Sequence, residues 1–183
     1  MRAHETIEKG IIVRVIGIAG WSGAGKTTLV SKLIPVLISR GLRVSTIKHA
    51  HHGFDVDQPG KDSYTHRMVG ASEILVSSAN RFALIHELRG EPEFTLRQLL
   101  ARLGTCDLVL VEGFKRESHP KIEIFRAANG REPLHPGDPH IRAIAADIAF
   151  PGSILPQVHL DDVDAIADLA ERFAMPRDAL LEG

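Results

Sequence analysis

A glycine-rich stretch near the amino end carries the residue types that bind phosphate. It reads Gly-Trp-Ser-Gly-Ala-Gly-Lys-Thr-Thr over residues 20–28 and matches the P-loop pattern G-x-x-x-x-G-K-[ST]. The glycines let backbone N–H groups turn inward around a phosphate, Lys26 reaches the β- and γ-phosphates, and the Thr27 hydroxyl ligates Mg²⁺. The sequence therefore predicts a nucleoside triphosphate site formed by Gly20, Ser22, Gly23, Ala24, Gly25, Lys26, Thr27 and Thr28.

A P-loop works only between a strand and a helix, and the flanking residues predict both. Residues 11–19 form a β-branched apolar run, which is typical of a strand buried on both faces of a parallel sheet. Downstream, apolar residues recur at helical spacing until Gly41, a good helix terminator. Pro35 lies inside this pattern and predicts a kink, because proline has no N–H to donate. The phosphates would then meet a helix N-terminus, whose N–H groups and dipole favour anions.

A carboxylate for the metal ion is predicted at the end of a second buried strand. An apolar run begins at Asp107 and ends at Glu112, and beside a P-loop such an acid holds Mg²⁺ or its water. We therefore predict that Mg²⁺ lies between Thr27 and Glu112, and that Lys26 and Glu112 are the catalytic candidates. Asp107 starts the run and is predicted at the opposite end of the sheet. Lys115, three residues beyond Glu112, either touches phosphate or substrate or stays solvated.

A basic cluster over residues 48–53 follows the next predicted strand, over residues 42–47, and because loops after strand ends face the ligand we expect it near the phosphates. His49, His51 and His52 lie close together, and neutral imidazole is a common zinc ligand. No cysteine joins them, however, and an undetermined loop fixes no tetrahedral geometry. A metal site, a loop that contacts phosphate or a partner, and a solvated loop all remain open.

The segment 54–63 has no apolar period and several turn formers, which predicts a long mobile loop. Asp55 and Asp57 in this loop could contact Mg²⁺ directly or through water, as switch segments of P-loop proteins do. We name Asp57 as a candidate metal ligand. A solvated acidic turn is the alternative interpretation.

A late buried strand over residues 140–146 ends in Asp147. In P-loop GTPase-like folds a late strand end reads the base, and an aspartate there accepts hydrogen bonds from guanine N1 and N2. The chain lacks an Asn-Lys-x-Asp element, since its two asparagines are Asn80 and Asn129. Asp147 is therefore a candidate guanine contact, with a loop-capping aspartate as the alternative.

The remaining pattern predicts a three-layer α/β P-loop fold, in which helices flank a mostly parallel sheet and a β-hairpin is added. The hairpin turns at Asn80, residues 121–126 alternate as a strand with an exposed face does, and Asp161 caps the last helix. With 183 residues the chain fits one domain. We expect an extension over 1–10, a single nucleotide-binding domain over 11–174 and a tail over 175–183.

Composition bounds the partners of the protein. The formal net charge is −1 and charges of both signs are interspersed, which gives no indication of nucleic-acid or membrane binding. The single cysteine, Cys106, lies in an apolar run, as expected for a core thiol in a reducing compartment. The amino end lacks the features of a signal peptide, so a cytoplasmic protein is expected.

Four segments together resemble the molybdopterin-guanine dinucleotide biosynthesis protein B (MobB) family. They are the P-loop, the strand end over 47–52, the segment 55–64, which contains Pro-Gly-Lys-Asp-Ser, and the segment 110–115, which contains Val-Glu-Gly-Phe-Lys. The resemblance covers roughly residues 11–173 and includes a late strand that ends in Asp147. The P-loop alone is generic, whereas the last two segments together are far more specific. The amino-terminal extension departs from the family pattern.

The resemblance implies a homodimer that binds GTP with Mg²⁺ and hydrolyses it weakly. It implies a nucleotidyltransferase partner, protein A of the same pathway, which converts molybdopterin to its guanine dinucleotide form; molybdopterin and apo-molybdoenzymes are further candidate partners. Slow hydrolysis also fits the residues, because no glutamine is evidently placed to orient water and no arginine finger can be identified. A small-molecule kinase and a nucleotide-binding adaptor without turnover remain the alternatives.

Overall fold

The computed structural model describes residues 12–50 and 53–181. These residues form two compact units. The sheet unit comprises the described residues of Met1–His49 and Leu96–Gly183. The hairpin unit comprises the described residues of Ala50–Thr95. The predicted extension over 1–10 lies outside the described residues.

Helices and strands are interspersed along the chain. In chain order they are β1 (Arg14–Ala19), α1 (Lys26–Ser39), β2 (Val44–Lys48), α2 (Asp62–Met68), β3 (Glu73–Ser77), β4 (Phe82–His86), α3 (Leu96–Leu100), β5 (Leu108–Glu112), β6 (Lys121–Phe125), a 3₁₀ helix (Ala127–Asn129), β7 (Ile141–Ala146), β8 (Gln157–His159), α4 (Val163–Phe173), β9 (Met175–Pro176) and α5 (Arg177–Leu181).

The sheet unit is built on a mostly parallel sheet in the order β2-β5-β1-β6-β7-β8, with the short β9 antiparallel to β1. Successive side chains of a strand point to opposite faces, so each strand contributes side chains to the cores on both faces of the sheet. Ile16 and Leu110 pack with α1 and α4 on one face, whereas Val15 and Val109 pack with α3 and α5 on the other. This layered α/β arrangement confirms the predicted fold class.

Helix α1 follows the predicted apolar stripe, with Leu29, Leu33 and Leu37 buried. It continues through Pro35 to Ser39. Helix α4 begins one residue later than predicted: its N-cap is Asp162, whose carboxylate accepts a hydrogen bond from the Ala165 N–H at 3.0 Å. Asp161 was therefore the wrong cap.

Strand β6 corrects the sequence-based expectation of an exposed face, because all five of its residues are buried. Lys121 donates to the Glu117 carbonyl oxygen at 2.6 Å and to Asp138 Oδ2 at 3.1 Å. Glu123 accepts from the backbone N–H groups of Leu134 and His135. The alternating charges are thus buried with partners from the following loop, which satisfies their polar groups.

The hairpin unit contains α2 and the antiparallel pair β3–β4, in register from Glu73↔His86 to Ser77↔Phe82. This confirms the predicted hairpin around Asn80. The residues predicted as a carboxyl-terminal tail contain β9 and α5, and Leu180 and Leu181 pack against the core beneath α3. No helix within the described ranges is both long and apolar enough to cross a membrane.

Candidate functional site

The glycine-rich loop connects β1 to α1 at the carboxyl edge of the parallel sheet. Gly20 passes so close to β6 that an added Cβ would lie 2.5 Å from the Ile124 carbonyl oxygen. Gly25 precedes α1 with φ of 93°, a left-handed conformation that glycine adopts without steric cost. Both glycines are thus fixed by the path of the backbone. The loop delivers the helix N-terminus to the sheet edge, as a phosphate cradle requires.

Lys26 begins α1 and folds back over the loop. Its Nζ donates to the carbonyl oxygens of Gly20 at 3.0 Å and Trp21 at 2.9 Å. Burial lowers the pKa of this ammonium, the nearby charges of Lys115 and Lys48 lower it further, and Glu112 opposes them. The loop therefore holds a partly dehydrated cation at its centre, ready to pair with an anion.

Thr27 and Glu112 meet, as the sequence predicted. The Thr27 hydroxyl donates to Oε1 of Glu112 at 2.9 Å, and only 14% of the Glu112 side chain is exposed. The sheet explains the meeting, because Glu112 ends β5 beside Ile18 of β1, the strand that leads into the loop. A hydroxyl and a carboxylate oxygen are hard ligands of the kind Mg²⁺ prefers, so these residues fit the metal that a P-loop implies.

Lys48 joins this pair; the sequence placed its basic cluster near the phosphates but did not name Lys48 as a site residue. It ends β2, and its Nζ lies 3.2 Å from Thr27 Oγ1 and 3.5 Å from Glu112 Oε1. Its place at the carboxyl end of a strand is the signal that the sequence carries, and the pairing of Lys48 with Glu112 between β2 and β5 adds the contact. His49 follows, donates its backbone N–H to the Glu112 carbonyl oxygen at 2.8 Å, and packs its ring against Phe114.

The histidine cluster cannot be assembled from the structure, because His51 and His52 lie outside the described residues. Among residues 12–50 and 53–181, no group of three His, Cys, Asp or Glu side chains is placed to hold a metal ion. The role of the cluster stays a prediction.

Three further polar residues line the loop and were missed or left open. Asn129 Nδ2 lies 3.4 Å from the Ser22 carbonyl oxygen. Arg126 brings a guanidinium nitrogen to 3.7 Å from where a Gly25 Cβ would lie, and Lys115 places Nζ 4.6 Å from the Trp21 ring centroid. Arg126 and Asn129 follow the end of β6, so the strand-end rule applied to β6 would have found them.

The other loop residues named from the sequence also lie at this edge of the sheet. Ala24 is buried, whereas Ser22, Gly23 and Thr28 are exposed, with Thr28 on the first turn of α1. The exposed positions leave the mouth of the loop open to a ligand.

Asp147 caps a turn in the structure. Its Oδ1 accepts a hydrogen bond from the Ala127 N–H at 2.8 Å, at the start of the 3₁₀ helix that carries Asn129. This is the capping alternative that the sequence left open. A guanine contact by Asp147 stays a prediction.

Asp57 lies in the hairpin unit, where its carboxylate is held locally. Oδ1 accepts from the Ser63 hydroxyl at 2.8 Å and the Gln58 N–H at 3.0 Å, and Oδ2 lies 3.7 Å from Arg67 Nε. Arg67 also pairs with Asp55 at 2.7 Å, which lowers the pKa of the Asp55 carboxyl. These contacts tie the acidic loop to α2. Magnesium ligation by Asp57 stays a prediction.

Comparison with known proteins adds the family context. Residues 15–147 match the family model described as molybdopterin guanine dinucleotide synthesis protein B. The chain is 44% identical over 160 residues to the molybdopterin-guanine dinucleotide biosynthesis adapter protein of Escherichia coli strain K12, a match that covers 86% of this chain and 91% of that protein. The protein of the same description from Haemophilus influenzae is 43% identical over 136 residues, covering 74% and 75% of the two chains.

A solved structure shows the same fold. The crystal structure of a MobB homolog from Bacillus stearothermophilus superposes with a TM-score of 0.63 at 27% identity, and the match covers 86% of this chain and 95% of that one. The family match over residues 15–147 spans the sheet edge where the P-loop, Glu112 and Lys48 meet.

Proposed function

This chain belongs to the molybdopterin guanine dinucleotide synthesis protein B family, and from that premise we propose that it is an adapter in molybdopterin guanine dinucleotide synthesis that binds GTP with Mg²⁺ at its P-loop. The observation that carries the nucleotide part is the meeting of Lys26, Thr27 and Glu112 at one edge of the sheet. Such an edge, with a helix N-terminus beside it, is where open α/β sheets bind ligands.

Each residue has a separate task in this proposal. Backbone N–H groups of the loop bind the phosphates, and Lys26 exchanges its bonds to loop carbonyl oxygens for bonds to phosphate oxygens. Thr27 and Glu112 hold Mg²⁺, the Glu112 carboxylate directly or through water. When bound, the metal ion neutralises charge on the β- and γ-phosphates.

Hydrolysis is proposed to be slow. Of the three glutamines in the chain, Gln157 binds the Phe150 backbone through both its amide oxygen and its amide nitrogen. Gln98 lies in α3 and Gln58 in the hairpin unit. Among the described contacts of the glycine-rich loop none is made by a glutamine, and the nucleotide is proposed to serve as a bound signal or delivered ligand more than as a source of energy.

The proposed partners follow from the family. The named relatives are adapter proteins of this biosynthesis, so we propose that the chain assists the nucleotidyltransferase, protein A of the pathway, as a cytoplasmic homodimer. Exposed apolar side chains on the hairpin, among them Leu75 and Phe82, support a protein–protein surface there. A two-stranded sheet is marginal alone, and a second copy would cover it.

Calorimetric titration with magnesium GTP tests the phosphate assignment. We expect Lys26→Ala to lose a charge-assisted hydrogen bond of about 2 to 3 kcal/mol and thus to weaken binding roughly 30- to 150-fold. Lys32→Ala, on the exposed face of the same helix, is the matched control and keeps wild-type affinity. Unchanged affinity of Lys26→Ala would overturn the nucleotide site.

The same preparation separates the remaining alternatives. Competition of GTP against ATP tests the proposed guanine preference, and release of free phosphate measures turnover. Transfer of the γ-phosphate to a small acceptor would instead identify a kinase, and binding without any phosphate release would identify an adaptor without turnover.

A further inference from the structure

Lys48 lies close to the point where the metal ion of the proposed function would bind. The Thr27 hydroxyl and Glu112 carboxylate oxygens are 2.9 Å apart, and the Lys48 ammonium lies 3.2 Å from the first and 3.5 Å from the second. A magnesium ion bound to either oxygen would be about 2 Å from it. The Lys48 ammonium and the metal ion would therefore bind the same two oxygen atoms.

The sheet fixes this approach. Lys48 and Glu112 are paired residues at the ends of the parallel neighbours β2 and β5. Paired residues of neighbouring strands project to the same face, so the two side chains leave the sheet edge together. Thr27 meets them from the first turn of α1. The three elements that form the site thus bring the Lys48 side chain within reach of the metal ligands.

From this geometry we propose that Lys48 is an exchangeable internal cation. Its ammonium compensates the Glu112 carboxylate until a magnesium nucleotide arrives, and it then gives up the two oxygens to the metal ion and swings away into solvent. This inference rests on the proposed function and assigns a positioning residue to it.

Two properties of Lys48 suit it to exchange. About 56% of its side chain is exposed, and its flexible four-carbon stem lets the ammonium move while the backbone stays in the sheet. Lys26, in contrast, is half-buried and tied to two carbonyl oxygens of the loop. A metal ion and an ammonium at the same oxygens repel each other strongly. Metal binding therefore displaces Lys48, the more mobile of the two lysines.

The exchange has a measurable consequence for nucleotide affinity. Without metal, Lys48 supplies the positive charge next to the phosphates, so GTP binding in EDTA depends on it. With metal, Mg²⁺ supplies that charge and Lys48 matters little. A lysine that only contacts phosphate would contribute equally under both conditions.

The test is a calorimetric titration of wild type and Lys48→Gln with a non-hydrolysable GTP analogue, in magnesium and in EDTA. We expect Lys48→Gln to weaken binding about tenfold in EDTA and to keep magnesium-dependent binding within about threefold, so the ratio of the two dissociation constants rises. Lys48→Arg retains the charge and keeps the wild-type affinity in EDTA. Equal weakening under both conditions, or no change in EDTA, overturns the exchange.

Two controls separate this inference from the proposed function. Lys32→Gln, an exposed lysine of α1, keeps both affinities of the wild type. If wild type itself binds no magnesium nucleotide, the proposed function fails. If wild type binds and only the Lys48→Gln ratio stays unchanged, the function stands and the exchange fails. Thermal melts without ligand confirm that each variant is folded.

Discussion

The sheet unit and the hairpin unit stand in contrast in how they use apolar residues. Within the described residues, the sheet unit buries Ile16, Leu33 and Leu110 almost completely between its sheet and helices. On the β3–β4 pair of the hairpin unit, Ile74 is buried but Leu75, Phe82 and Leu84 are more than half exposed. The first unit therefore draws its stability from its own core, whereas the second presents apolar surface.

Polar contacts give the hairpin unit much of its internal order. Arg67 of α2 pairs with Asp55 at 2.7 Å and with Glu87 at 3.2 Å, and so connects the acidic loop, the helix and the end of β4. Such surface pairs contribute little free energy individually. The contrast teaches that the sheet unit holds the site on a buried core of its own, whereas the hairpin unit leaves apolar side chains exposed, as the proposed protein–protein surface requires.

The largest expected effect is on the core of the sheet unit. Leu33→Ala removes a fully buried side chain on the core face of α1 and should lower the free energy of unfolding by about 2 to 5 kcal/mol. Ile38→Ala, on the exposed side of the same helix, should change it by less than about 1 kcal/mol. Urea denaturation measures both. Equal losses would contradict a core centred between α1 and the sheet.

A smaller effect comes from a buried histidine of the same unit. His119 is fully buried, neither ring nitrogen has a hydrogen-bond partner among the described residues, and burial together with the nearby Lys121 charge lowers its pKa to about 4. The unfolded chain takes up this proton near pH 6.5, whereas the folded chain resists it until about pH 4. The free energy of unfolding should therefore fall by about 3 kcal/mol as the pH drops across that interval.

Denaturation at several pH values checks this slope. His119→Leu cannot take up the proton, so it should flatten the fall between pH 6.5 and 4. His159→Leu, which replaces an exposed histidine of β8, is measured beside it as the control for the substitution itself. The result against the prediction would be the same slope in wild type and His119→Leu.

The smallest expected effect lies in the hairpin unit and sharpens the contrast. Phe82 is 73% exposed, so Phe82→Ser should change the free energy of unfolding of a dilute monomer by about 0.5 kcal/mol or less. In the proposed homodimer the same change should weaken association, which sedimentation equilibrium measures. A loss of several kcal/mol in the monomer would mean that the hairpin is covered within one chain.

Much of the site edge could be predicted because its signals are local. The P-loop spacing placed Lys26 and Thr27, and a buried run ending in an acid placed Glu112 beside them. Lys48 was expected near the phosphates as part of a basic cluster, but its contact with Thr27 and Glu112 was not predicted, because that contact depends on which strands are neighbours and strand order is not written in any one segment. The choice for Asp147 between a guanine contact and a loop cap stayed open for the same reason, since Ala127, whose N–H donates to Asp147, is 20 residues away.

The error on β6 has a similar cause. Its alternation of Lys121, Glu123 and apolar residues is the pattern of a half-exposed strand. The strand lies in the middle of the sheet instead, and the partners that make burial of these charges tolerable, Asp138 and His135, come from the following loop. Periodicity reports side-chain polarity and cannot report whether a later segment neutralises it.

Trp21 gives the glycine-rich loop an optical property. It is the single tryptophan of the chain, its indole N–H donates to the Glu132 carbonyl oxygen at 2.8 Å, and the Lys115 ammonium sits over its ring. All intrinsic indole emission therefore originates inside the loop itself. An unlabelled sample carries its own fluorophore at the place where ligand arrival would be sensed, and rapid-mixing kinetics can be recorded without a dye.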